Sequence, residues 1–192
     1  MAASKFYPEY AHRLGQALQR FDWAPVELLA GELEACWREG RQLFLCGNGG
    51  SAGNALHLAN DFLYGIGKPE GMGLRATALG ANQSIVTCLA NDLGYEKVFS
   101  AQLKVLARRG DVLIVLSGSG NSANLIEALQ TARTLGLRTA AVLGYSGGRC
   151  RELADMPIHF AIDDMQIAED LQLIVGHMIM QWLSKHRPNA SG

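Results

Sequence analysis

Long apolar runs are missing from this chain of 192 residues. None approaches the roughly 18 to 20 residues that a membrane-spanning helix needs. The N-terminus has no basic stretch leading into an apolar core, so no export signal of the usual kind is expected. Charge of one sign is missing too. Seventeen Lys and Arg stand against 18 Asp and Glu, for a net charge of −1, and the two signs are well mixed. Without a basic stretch, neither nucleic acid nor an anionic membrane surface has an electrostatic handle, and both are excluded as expected partners. Cysteine is scarce, with four at positions 36, 46, 88 and 150 and no CxxC pair. That excludes a disulfide-stapled scaffold and a cysteine zinc knuckle. Cys46 and Cys88 fall inside apolar runs and read as buried, reduced thiols of a cytoplasmic protein. No tandem repeat or low-complexity segment is present.

Glycine, by contrast, is plentiful at 22 residues against 5 prolines, and 48% of the chain is hydrophobic. This balance fits one α/β domain spanning 1–192 with many strand-to-helix turns. Its organising stretch is Asp111-Val-Leu-Ile-Val-Leu-Ser117-Gly-Ser-Gly-Asn-Ser-Ala-Asn124. The apolar run reads as a strand buried on both faces. It empties into a loop of glycines, serines and Asn121, and helical spacing resumes with Leu125, Ile126, Leu129 and Ala132. Such a strand, loop and helix N-terminus form a natural anion site, with serine hydroxyls and free amide groups as donors. The pattern occurs twice, because strand 43–46 leads into Gly47-Asn-Gly-Gly-Ser51 and another helix. Two such loops point to a phosphorylated small ligand.

The remaining chain alternates regularly. Helices are expected over 9–21 and from Pro25 to about Glu39, a pair that packs on the sheet or against another subunit. After the first loop come a helix over 52–64, a glycine-rich surface loop over 65–73 and a strand over 75–79. A helix capped by Asn82 is expected to run through Leu89 and break at Asn91-Asp-Leu-Gly94, followed by another over 95–108. Beyond the organising stretch come strand 138–144, a short helix near 151–154, strand 157–162 and a long helix from Asp163 or Asp164 to Lys185. Five strands separated by helices imply a parallel sheet covered on both faces.

Two places could carry chemistry. His57 and Asp61 stand four apart on the helix after the first loop and share a face. The pair could act with Asp61 as a general base, hold a divalent metal, or be a partly exposed hydrogen-bond pair. On the last helix, Gln166, Asp170 and His177 lie within roughly 40° of one another and Glu169 about 80° from His177. Spacing alone makes Asp170 the facial neighbour of His177. The apolar setting of His177 is that of a core histidine, and Gly176 beside it implies close packing. His159 reads as structural, and His12 and His186 as solvated.

Together, Gly47-Asn-Gly-Gly-Ser51, His57 with Asp61, Asn91-Asp92, Ser117-Gly-Ser-Gly-Asn-Ser122 and the late His177 resemble the phosphoheptose isomerases of the sugar-isomerase (SIS) domain family. The similarity extends over nearly the whole chain. It implies a flavodoxin-like three-layer sandwich with a five-stranded parallel sheet, preceded by an N-terminal helical pair. It also implies a homotetramer with active sites between subunits and interconversion of sedoheptulose 7-phosphate with a glycero-manno-heptose 7-phosphate, feeding lipopolysaccharide or capsule synthesis. By position, Ser51, Ser117, Ser119 and Ser122 would hold the phosphate, with Gly49 and Gly118 in the same loops, while Asn48 and Asp92 would contact the sugar. The catalytic carboxylate and histidine fall on Asp61 and His177, and a zinc set on His57, Asp61, Glu169 and His177.

The chain departs from the family pattern at four positions. Asp61 replaces a Glu, Glu169 a Gln and Gly118 a Thr. Gly65 stands where an Arg is common, with Lys68 nearby as a substitute cation. The same resemblance admits an alternative of a different class: a non-catalytic adaptor, such as the relative that associates with the bacterial replication initiator, or a phosphosugar sensor.

Overall fold

The computed structural model describes residues 3–68 and 73–187. Five strands form one wholly parallel sheet: β1 Gln42–Gly47, β2 Arg75–Ala78, β3 Val112–Ser117, β4 Arg138–Leu143 and β5 Met156–His159, in the order β2-β1-β3-β4-β5. This is the flavodoxin-like order, in keeping with the fold that the family resemblance implied. The central strand β3 is buried along its whole length, as its unbroken apolar run requires. The edge strand β2 alternates exposed and buried, and Pro157 lies on the other edge, where a missing backbone donor costs least.

Alternate side chains divide the core into two layers. Leu43, Leu45, Val112, Ile114 and Leu116 face α2 (Ala24–Arg38), α3 (Gly50–Leu63) and α8 (Met165–Lys185). Phe44, Cys46, Leu113 and Val115 face the other side, with α6 (Ala123–Leu135), Cys150 of α7 (Gly148–Leu153), and Val98, Phe99 and Leu103 around α5 (Ser100–Leu106). The N-terminal pair covers the first layer. α2 buries Val26, Leu29, Leu33 and Cys36, and α1 (Ala3–Arg20) lays Tyr10, Leu14 and Leu18 against it. No helix among the described residues is long and apolar enough to cross a membrane.

Local signals account for several helix ends. Asn82 accepts a bond from the Ile85 amide at the start of α4 (Gln83–Leu93), and Asp164 does the same for Ile167 at the start of α8, each supplying one orphan donor with a partner. Gly136 closes α6 in the left-handed conformation. Several expected bounds fail: the helix expected over 95–108 is a 3-10 turn, Tyr95–Lys97, followed by the short α5, and the last strand ends at His159 rather than 162. α1 begins well before residue 9, and α4 does not break at Asn91 but continues to Leu93, with Gly94 after it. Cys88 is therefore on an exposed helical turn rather than buried, since α4 has no buried residue at all. Residues 69–72 of the glycine-rich loop lie outside the described residues.

Candidate active site at the strand switch point

The chain runs from β1 outward to β2 and then returns to the other side of β1 as β3. The order reverses between β1 and β3, so a crevice opens at their carboxyl ends, the usual ligand position in an open α/β sheet. Gly47 pairs with Leu116, one residue before Ser117, so both Gly/Ser loops emerge side by side here. The Oγ of Ser117 accepts from the Gly120 amide at 3.0 Å and that of Ser119 from the Asn121 amide at 3.3 Å. Each hydroxyl keeps its own proton to donate. Ser122 is the N-cap residue of α6 and uses no side-chain oxygen for capping. Gly120 has φ +67°, and a Cβ there would lie 2.0 Å from the Gly147 carbonyl oxygen, so only glycine fits the turn.

A pair of amides joins the loops. Asn48 donates to Asn124 Oδ1 at 2.9 Å, and Asn124 donates back to Asn48 Oδ1 at 2.8 Å. Tyr95 adds a hydroxyl bond to the same Asn48 oxygen at 2.9 Å. The link between the segment after α4 and the first loop therefore runs through Tyr95. Asp92 instead accepts from Asn91 at 2.8 Å and from the Cys88 thiol at 3.5 Å. Behind Ser51, Asn54 and Gln172 complete a second polar cluster: Asn54 Nδ2 bonds Gln172 Oε1 at 2.9 Å, and Gln172 Nε2 bonds Ser51 Oγ at 3.0 Å.

The titratable cluster lies further along α3, which runs beside α8. Gly176 permits the approach, since a Cβ there would fall 2.3 Å from Leu58 Cδ2, as its position in a helix interior implied. His57 Nε2 and His177 Nε2 are 2.9 Å apart, and each is near Asp61 Oδ2, at 3.3 and 3.4 Å. Two imidazole nitrogens this close need a shared proton or a cation between them. With Asp61 Oδ2 they form a group of three ligand atoms close enough together to hold one metal ion. Helical side chains lean toward the helix N-terminus, which carries Asp61 toward the loops. His177 is not a core residue; its side chain is 42% exposed.

Other candidates are placed differently. Glu169 is not in this group: a Cβ on Gly50 would meet its carboxylate oxygens at 2.4 Å, so it faces the first turn of α3. Asp170, which spacing assigned to His177, accepts the Tyr10 hydroxyl at 2.6 Å. Burial and that bond push the Tyr10 hydroxyl up to about 12. The residue actually facing His177 comes from another helix, which angular arithmetic along α8 cannot reveal. Gly118 leaves room for Met165, whose sulfur would be 2.5 Å from an added Cβ, and Gly65 lies beside Asp61. The Lys68 ammonium sits 4.6 Å over the Tyr64 ring. His159 is structural, bonded to the Tyr145 carbonyl oxygen at 2.9 Å. Burial pushes the Cys36 thiol up to about 12 and Cys150 to about 11, and raises Cys46 as well. These thiols stay neutral and are unsuited to nucleophilic or metal chemistry.

Comparison with known proteins points the same way. The family model described as SIS domain matches residues 6–144. A phosphoheptose isomerase of Geotalea daltonii is 41% identical over 172 residues, covering 90% of this chain and 87% of that protein. Among solved structures, a phosphoheptose isomerase from Neisseria gonorrhoeae superposes with a TM-score of 0.87 at 28% identity, covering 96% of this chain and all of the other. One from Francisella tularensis gives 0.89 at 23% identity, with the same coverage, and bears on the fold alone.

Proposed function

This chain belongs to the SIS-domain family and, within it, to the phosphoheptose isomerases, and on that footing we propose that it interconverts sedoheptulose 7-phosphate and a glycero-manno-heptose 7-phosphate. The observation that carries the reading is the meeting of Asp61 and His177, 3.4 Å apart, on two helices whose first turns border the switch-point loops.

Aldose–ketose exchange moves one proton between C1 and C2 through an enediol and another between their oxygens, so one base and one acid suffice. Asp61 takes the carbon-bound proton and returns it to the neighbouring carbon. His177 shuttles the proton between the two oxygens. The phosphate is held by Ser51, Ser117, Ser119 and Ser122 and by the first amides of α3 and α6, while Asn48 and Asp92 contact the sugar hydroxyls. Gly49 and Gly118 let the loop backbone approach. Binding energy at the phosphate end fixes the reacting carbons between the two proton carriers.

His57, Asp61 and His177 fit a zinc ion, which when bound would polarise the substrate carbonyl. Glu169, facing Gly50, stands outside that set here. A second feature supports assembly. His57 and His177 are 49% and 42% exposed, and exposed Leu56, Leu63, Tyr64 and Met178 lie on the same helices or directly after them. Enediol chemistry benefits from excluded water, so a further copy of the chain covers this face and the active unit is a homotetramer working in the cytoplasm.

Turnover in D2O tests the proposal. Purified protein given sedoheptulose 7-phosphate, with and without added zinc, is expected to form the aldose with deuterium at C2. Binding of the sugar phosphate with no interconversion under either condition would contradict it.

A further inference from the structure

Resting on that reading, we propose that Gln172 is a positioning residue that sets the hydroxyl of Ser51 as a donor toward the substrate. Gln172 is 1% exposed and Ser51 3%, so neither side chain is left to water. The direction of their bond follows from an anchor two contacts away. Asn54 Nδ2 lies 3.0 Å from the main-chain carbonyl oxygen of Glu169, which can only accept. The Asn54 amide is thereby oriented. Its Nδ2 also reaches Gln172 Oε1 at 2.9 Å, so the oxygen of Gln172 must face Asn54 and its nitrogen must face Ser51. The Ser51 oxygen, 3.0 Å from Gln172 Nε2, accepts.

Ser51 has one proton, and among the described residues it has no acceptor. Ser51 stands in the first turn of α3, at the switch-point crevice. A hydroxyl whose lone pair is already occupied presents that proton to an electron-rich oxygen of the ligand. A carboxylate at position 172 would reverse this, because it accepts only and would draw the Ser51 proton inward.

The test is a double-mutant cycle with Gln172→Glu, Gln172→Met, Ser51→Ala and the two combinations, read by calorimetric Kd and by KM and kcat for sedoheptulose 7-phosphate. Ser51→Ala is expected to weaken binding by roughly ten- to a hundred-fold, the size of a hydrogen bond to a charged group. Q172E should match that loss through KM, with kcat changed by less than about three-fold. In the Ser51→Ala background it should add less than about two-fold, because Gln172 acts through Ser51. Q172M tests the same coupling without a buried charge: it should weaken binding by less than Q172E and add nothing to Ser51→Ala. Full additivity of either variant with Ser51→Ala, or a folded Q172E with unaltered Kd, overturns the proposal. A wild type that binds the sugar phosphate without converting it contradicts the isomerase reading instead and leaves the cycle on Kd intact as the test of Gln172.

Discussion

The two ends of the crevice are built differently. At the loop end, Ser51, Ser117, Asn124 and Gln172 are each no more than 5% exposed, and their side chains are bonded within the chain. At the other end, along α3 and α8, His57 and His177 are close to half exposed, and their chain neighbours Leu56 and Met178 are exposed as well. Recognition of an anion needs donors fixed before the ligand arrives, which one subunit's buried polar network achieves. Proton transfer needs reach and exclusion of water, and here one chain supplies the first only. The binding end is thus ordered by bonds within one chain, while the titratable cluster of the other end stands half open, which is the observation behind the proposed assembly.

The largest effect should come from the open end. Asp61→Asn is expected to lower kcat by about 10²- to 10⁴-fold while the melting temperature stays close to wild type, since the side chain lies outside both core layers. A loss of stability that parallels the loss of rate would blur the two ends. At the closed end the order reverses. Gly120→Ala, whose methyl would meet the Gly147 carbonyl oxygen at 2.0 Å, should destabilise the fold by about 1–3 kcal/mol in denaturant titration and weaken phosphosugar binding with it.

Leu63→Glu places a charge on an exposed apolar position, 52% open. It should shift the assembly to smaller species in sedimentation and reduce activity several-fold, with the secondary structure by circular dichroism unchanged. An unaltered assembly would mean that this face is not covered by a copy.

The smallest effect concerns the anchoring of α8 itself. Bonds from the Ile167 amide, and then Arg13 at 2.6 Å, hold the Asp164 carboxyl below its ordinary range. A lowered folded-state value means stability that is present above about pH 4 and lost as pH falls through the depressed value. Asp164→Ala should therefore cost about 1 kcal/mol at neutral pH, and the gap to wild type should close under more acidic conditions.

The sheet and both loops were legible in the sequence, because buried parallel strands leave unbroken apolar runs and helix N-termini leave Gly/Ser/Asn clusters. His57 with Asp61 could be paired by spacing on one helix. The partner of His177 could not, since α3 and α8 meet only in the folded chain and Tyr10 of α1 takes Asp170. Asn54 and Gln172 were illegible for a related reason. A polar residue in an amphipathic helix looks like surface until a neighbouring helix pairs with it. Cys88 misled in the opposite sense: its apolar stretch reads as core, but it sits on the exposed side of a helix that only Val86, Leu89 and Ala90 pack onto the core.

The division of labour is tested most directly by measuring Kd and single-turnover rate for sedoheptulose 7-phosphate on the same preparations of wild type, Ser119→Ala and Asp61→Asn. Ser119→Ala should weaken binding at a nearly unchanged rate, whereas Asp61→Asn should bind normally and turn over hundreds of times more slowly or worse. An Asp61→Asn protein that converts the sugar phosphate at the wild-type rate would contradict that division.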